Sequence, residues 1–443
     1  MKNFLTNYYL ILVIFSPIVS FPQGVLNWEV IDGPTSNTLH KMSFINSNTG
    51  WIEGEDGTII NTTDGGENWN TLYTAVDTFM LDIFFLNENL GWVLFWDLIP
   101  PYSSKILKTM DGGINWAVEF CPGENTFFQS VYFLDSTTGF LAGSDIFKTS
   151  DGGMSWLEVK VSDVDTIPPN YSEFPVKKMV FYNNEIGYAC GGKLDLAGVM
   201  WWTKDGGENW LANGLGPDPF NDIHIFDSLN VIGLGGDPEG FYGIGQVNTS
   251  DGGLNWTYEE LEISGVVNAL SFRTELEGWA VKDDKFLLSL DGGAEWMEVN
   301  TPGNVVLQDL IFTHSSRGYA VGIDGTILKY HSVISNTDEL LKRKLFEGFM
   351  LNQNHPNPFN PVTKINYSIS EPGLVTIKVY DILGNEISTL VSEEKQAGEY
   401  EVEFNIANLS GGIYAKGGYA SGVYFYQMRT GKFIDTKKML LIK

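Results

Sequence analysis

Thr62-Thr63-Asp64-Gly65-Gly66-Glu67-Asn68-Trp69 recurs five more times along the chain with small changes. Thr109–Trp116 reads TMDGGINW, Thr149–Trp156 TSDGGMSW, Thr203–Trp210 TKDGGENW, Thr249–Trp256 TSDGGLNW and Ser289–Trp296 SLDGGAEW. The aspartates Asp64, Asp111, Asp151, Asp205, Asp251 and Asp291 are spaced by 47, 40, 54, 46 and 40 residues. A period of this size, filled with short alternating strands, is that of β-propeller blades. An all-β chain is expected, with a seven-bladed β-propeller over residues 21–330.

Each unit has the same grammar. A first strand ends in an aromatic (Phe44, Phe85, Phe133, Phe181, Phe226, Phe272 or Phe312). A glycine and an aromatic then open the second strand, as in Gly50-Trp51 and Gly91-Trp92, except in the fifth unit, which has Asn230-Val231. Seven first strands meet only six repeated phrases. The seventh unit stops at Tyr330, and Asn27-Trp28-Glu29-Val30 resembles the start of the missing fourth strand. The N-terminal strand is therefore expected to complete the seventh blade, closing the ring and removing its free edges.

In each phrase the aspartate can accept backbone N–H bonds across the turn, and the glycines permit positive φ. A hydroxyl two residues earlier can join the same turn, and the tryptophan buries a large ring. The pattern [ST]-x-D-x-G-x-x-W resembles the Asp-box of bacterial neuraminidase repeats, and the whole unit resembles the propellers of photosystem II stability/assembly factors. The six aspartates are read as structural, because a residue repeated in every blade cannot face one site.

From Leu351 the grammar changes. NHPNPFNPVT (354–363), IKVYDILGNEI (377–387), GEYEVEF (398–404), SGVYFYQ (421–427) and the terminal KKMLLIK resemble the C-terminal sorting domain of the type IX secretion system. A small Ig-like β-sandwich over 351–443 is implied, with the secretion machinery as partner. Ser410–Ala420 departs from the family pattern as a partial duplication. Residues 331–350 are read as a linker. Residues 1–20, with Lys2 before the apolar run Tyr8–Phe15, read as a signal peptide, leaving no membrane-spanning segment after its removal. The resemblance implies an extracellular or outer-surface location.

The chain has 27 basic and 55 acidic residues. The acidic excess falls in residues 21–330, since the last 93 residues carry nine of each sign. Such a surface does not attract nucleic acid. The two cysteines, Cys121 and Cys190, are read as idle thiols. The five histidines are scattered and the glycine-rich turns lead into strands, so no metal site, nucleotide site or cofactor is expected.

In a four-stranded meander, loops between strands two and three share one rim with the links between blades, opposite the aspartate turns. The long insertions fall on that rim. They supply Trp96, Asp97 and Tyr102 in unit two; Asp195, before Trp201, in unit four; and Asp237, Glu239 and Tyr242 in unit five. The link after unit three carries Asp163, Asp165 and Tyr171. Aromatics beside carboxylates can stack on sugar rings and bond hydroxyls. The expected function is a non-catalytic glycan- or protein-binding module. The alternative is a glycoside hydrolase of xyloglucanase-like type using two of Asp97, Asp195, Asp237 and Glu239. A sialidase is disfavoured, because residues 21–330 hold only Arg273 and Arg317 for a substrate carboxylate. The same scarcity argues against the arginine-rich patch that the assembly factors present to their partner.

Overall fold

The computed structural model describes residues 27–442 except 73, 75, 77, 98–101, 124–125, 165–169, 332–348, 370–371, 382–383, 407–420 and 432. The expected signal segment, nearly all of the expected linker and the Ser410–Ala420 duplication lie outside the described residues. The chain divides into two compact units between Ser332 and Val333. Apart from three short 3-10 turns, the described elements are strands, and no helix is long and apolar enough to cross a membrane.

The first unit is propeller-like. Seven sheets occur among its described residues, with first strands Leu39–Phe44, Met80–Phe85, Phe128–Phe133, Val176–Phe181, Phe220–Ile225, Ala269–Phe272 and Leu307–His314. In the first six sheets the next three strands add in chain order. The seventh takes its outermost strand from the other end of the unit: Trp28–Ile31 pairs antiparallel with Ile327–His331, Trp28 opposite Tyr330. Trp28 is buried, with ring centroids of Phe286, Tyr330, Phe312 and Trp279 at 5.1, 5.3, 5.6 and 5.8 Å.

The aromatic grammar is a packing rule between neighbouring sheets. Phe85 stacks on Trp51 of the preceding sheet and Phe133 on Trp92, each at 3.6 Å between centroids. Phe181 stacks on Phe140 at 4.9 Å, and Phe44 on Tyr319 of the seventh sheet at 4.6 Å. Each of these phenylalanines also meets the tryptophan of its own repeated phrase edge-on, as Phe85 meets Trp116 at 6.1 Å. The glycine before the second-strand aromatic is required sterically, because a Cβ at Gly50 or Gly91 would run into the ring of Phe44 or Phe85. The fifth unit lacks that glycine because its first strand ends at Ile225, opposite Val231.

The link after the third sheet contains a strand that the sequence pattern missed. Lys160–Asp163 adds in parallel to Asn209–Leu215, giving the fourth sheet five strands. Ser172 fixes its end, donating its backbone N–H and its hydroxyl to Asp163 at 2.7 and 3.0 Å.

Among its described residues the second unit has two antiparallel sheets. One pairs Met350–Leu351, Val362–Ile369 and Gly398–Asn405; the other runs Glu386–Lys395, Gly373–Tyr380, Gly422–Thr430, Phe433–Leu441. Alternate residues of both, including Ile365, Tyr367, Ile377, Val379, Tyr426 and Met428, form one core. The Pro/Asn-rich opening and the terminal motif hold each other: Phe359 donates its N–H to Leu440 and accepts that of Ile442, at 2.9 and 3.0 Å.

Candidate functional site

The repeated turns are closed hydrogen-bond systems. In the first, Thr62 Oγ1 donates to Asp64 Oδ1 at 2.9 Å and accepts the Gly66 N–H at the same distance. Asp64 Oδ1 also accepts the Asn68 backbone N–H at 3.0 Å, and Oδ2 accepts the Asn68 side-chain amide at 2.7 Å. The hydroxyl–aspartate bond recurs in the other five at 2.8–3.0 Å. The Asn68 amide is the main cause holding the Asp64 carboxyl down at about 2, and the Ser155 hydroxyl does the same for Asp151. Gly65 and Gly66 take φ of 76° and 74°, which side chains disfavour. A cation approaching Asp64 would meet N–H and O–H donors.

These turns pack on the turns joining strands one and two: Gly65 donates to Asn48 O at 2.8 Å and Gly206 to Glu185 O at 2.9 Å. The loops between strands two and three pack instead on incoming links, as Glu55 donates to Thr38 O and Gly192 to Pro175 O, both at 2.9 Å. Two distinct rims result.

On the second rim the anticipated site residues fall into two groups. Trp96 belongs to an aromatic row. Its centroid lies 5.5 Å from Phe127 and 6.5 Å from Phe79, and Phe79 lies 5.3 Å from His40. The indole N–H of Trp96 donates to Phe128 O at 3.0 Å, which fixes the ring. Phe79, Phe127 and Tyr102 are exposed, whereas Asp97 is ion-paired with Lys105. Phe79 and Phe127 were missed in the sequence pattern. Their only signal is an aromatic in the link, immediately before a first strand.

The other group gathers around Asp218, also missed. Asp195, at a hairpin tip with φ of 58°, donates its N–H to Asp218 Oδ1 at 3.2 Å. Asp218 is buried, its Oδ2 has no partner among the described residues, and burial raises its pKa, helped by the charges of Asp237, Asp195 and Glu260. Asp237 is buried too. Its carboxylate accepts the backbone N–H groups of Glu239 and Tyr242 at 2.7 and 3.0 Å and so holds the loop's shape, while Glu239 and Tyr242 are exposed. Trp201 must be removed from the expected surface. It is fully buried among Phe140, Val199 and Trp210, because its whole strand, Ala197–Thr203, lies inside.

The inner faces of the first strands carry a charged girdle absent from the sequence-based expectation. Lys41, Asp82, Ser130, Lys178, Asp222, Ala269 and Asp309 occupy equivalent positions, opposite the second strands. The aspartates cross to the next first strand: Asp82 accepts the Val131 N–H at 2.9 Å, Asp222 that of Leu270 at 2.7 Å and Asp309 that of Met42 at 2.8 Å. Serines repeat the device, Ser130 at the aspartates' own position and Ser43 and Ser271 two residues further along. Ser43 accepts from Phe85 at 2.9 Å, Ser130 from Met179 at 3.3 Å and Ser271 from Phe312 at 3.0 Å. Lys178 pairs with Asp222 at 3.2 Å, joining the fourth and fifth first strands. Towards the aspartate-turn rim lies an open cavity of about 400 Å³, walled by Phe44, Phe84, Tyr132, Phe181 and Tyr182.

Residues 22–78 match the family described as photosynthesis system II assembly factor YCF48, and residues 354–416 match the secretion system C-terminal sorting domain. Photosystem II assembly protein Ycf48 of Thermosynechococcus vestitus is 40% identical over 55 residues, 12% of this chain and only 16% of that protein's length. Photosystem II assembly lipoprotein Ycf48 of Nostoc sp. is 25% identical over 326 residues, 70% of this chain and 88% of its own. Among solved structures, YCF48 bound to D1 peptide aligns with a TM-score of 0.55 and 19% identity, over 69% of this chain and 97% of that one. The GH74 xyloglucanase of Xanthomonas campestris aligns with a TM-score of 0.53 and 10% identity, over 77% of this chain and 59% of that one. At these identities the solved structures speak for the fold alone. The chain thus resembles the Ycf48 proteins over its propeller-like unit and carries a match to the secretion-system C-terminal sorting domain after it.

Proposed function

We propose that the first unit is a seven-bladed propeller closed by its N-terminal strand, and that the mature protein is an exported, non-catalytic carbohydrate-binding module. Cross-strand bonds running from each first strand to the next, and from the seventh back to the first through Asp309 and Met42, support closure. The assigned boundaries are 1–20 for the signal peptide, 21–330 for the propeller, 331–350 for the linker and 351–443 for an Ig-like sorting domain. The sorting domain indicates secretion to the cell surface or medium.

The row His40–Phe79–Trp96–Phe127 carries the binding reading: four rings from three consecutive blades, on the rim opposite the aspartate turns. Such rings can stack on the apolar faces of sugars while Asp97 and Tyr102 reach hydroxyls. A surface protein is the competing partner. The hydrolase reading loses support, because Asp237 is committed to its own loop and Asp97 to Lys105. The test is a glycan array with the exported protein, followed by calorimetry of Phe79→Ala and Trp96→Ala. Each replacement should weaken binding tenfold or more. Undiminished binding by both variants, or no glycan bound at all, overturns the proposal.

A further inference from the structure

The central channel of the proposed ring changes character along its length. Along each first strand, residues two apart share a face and are separated by about 6.7 Å. Two steps from Asp82 towards the aspartate-turn rim is Phe84, and two steps from Ser130 is Tyr132, with their ring centroids 4.8 Å apart. Both rings wall the 400 Å³ cavity. Charged groups thus lie one side-chain length behind an aromatic chamber.

Those charges are not all satisfied. Lys178 is committed to Asp222. Lys41 has no hydrogen bond or ion pair among the described residues, although it stands between Asp309 and Asp82 in ring order and acts electrostatically on both. The two aspartates are held in place by N–H donors. Asp82 accepts those of Ile83 and Val131, and Asp309 those of Leu310 and Met42. Burial raises the pKa of both, Lys178 and Lys41 oppose that shift, and neither carboxylate has a cation within ion-pair distance among the described residues. The result is a half-buried ammonium beside a half-buried carboxylate, Asp82, and a buried one, Asp309, with the buried Glu53 opposite Lys41 on the second strand; on the rim side of them lies the chamber, large enough for an aromatic side chain.

We propose that this channel binds a free aromatic α-amino acid. One carbon of such a molecule carries both an ammonium and a carboxylate, complementary to Asp82 and Asp309 on one side and Lys41 on the other. The side chain then points into the chamber of Phe84 and Tyr132, where stacking and burial favour a planar ring over a polar group. This site is independent of the carbohydrate row on the opposite rim, so either can fail without the other.

The test is isothermal calorimetry of the mature protein with L-phenylalanine, 3-phenylpropionate and 2-phenylethylamine, repeated with Lys41→Met and Phe84→Ala. Saturable one-to-one binding of L-phenylalanine is expected, at least tenfold tighter than either analogue. Lys41→Met should remove most of the advantage of phenylalanine over phenylethylamine, with less effect on phenylethylamine itself. Unfolding temperature and circular dichroism identify any misfolded variant, and Lys41→Arg, which keeps the charge, should retain binding. No saturable heat with L-phenylalanine overturns the proposal. So does equal binding of the three compounds or binding unmoved by Lys41→Met, either of which would leave only an apolar chamber.

Discussion

At the scale of single residues, the repeated phrase is a device for satisfying a turn that glycine makes possible. Thr109 is buried, donates to Asp111 and accepts the Gly113 N–H at 2.8 Å. Thr109→Val keeps the shape but strands that N–H, and should lower unfolding free energy in urea by about 1–3 kcal/mol. The same turns set an acid limit. Asp64 and Asp151 sit near 2 when folded, against about 3.9 for an unfolded aspartate. Because the unfolded chain binds protons first, this contribution is complete above about pH 4 and is lost as pH falls towards 2. Urea midpoints measured across that window should fall more steeply for the native protein than for a double Asp64→Asn, Asp151→Asn variant. Glu53 works in the opposite sense. It is fully buried, with no hydrogen bond to either carboxylate oxygen among the described residues and His40 Nδ1 4.0 Å away, and burial, aided by Asp82, pushes its pKa well up, so it penalises folding as pH rises above the ordinary carboxylate range.

At the scale of strands and sheets, much was legible because the repeat exposes its own grammar. The phenylalanine ending a first strand, the glycine–aromatic pair and the phrase tryptophan recur in step because they pack into one another at each seam. The exception in the fifth unit was equally visible, at Asn230-Val231. Local pattern could not show partners contributed by neighbouring sheets. Lys41, Asp82 and Asp309 read as ordinary polar positions on alternating strands, and only the packing of separate units brings them together. Trp201 misled for the same reason: its place after an inserted hairpin suggested exposure, yet its strand is covered on both sides. Trp28 was the informative isolated residue, seated against Phe286, Phe312, Tyr330 and Trp279. Trp28→Ala should cost about 3–5 kcal/mol in chemical denaturation, the range for truncating a buried tryptophan. A loss under 1 kcal/mol would mean that the strand is dispensable.

For the whole molecule, the proposed reading divides the labour between the two units: one presents rims and a channel, the other an address. Deleting residues 351–443 should leave the propeller able to fold but hold it inside the cell envelope of a host with the secretion machinery, as read by protease shaving of intact cells. Surface display of the truncated chain would contradict that division. The pairing of Trp28–Ile31 with Ile327–His331 also bears on timing. Asn27 reaches the Tyr330 hydroxyl across 303 residues of chain, and bringing such distant ends together costs about 5 kcal/mol in chain entropy. The seventh sheet therefore cannot assemble until the entire preceding stretch has emerged. Were export to precede closure, that late clasp would act as a delay, keeping the chain pliable during the passage.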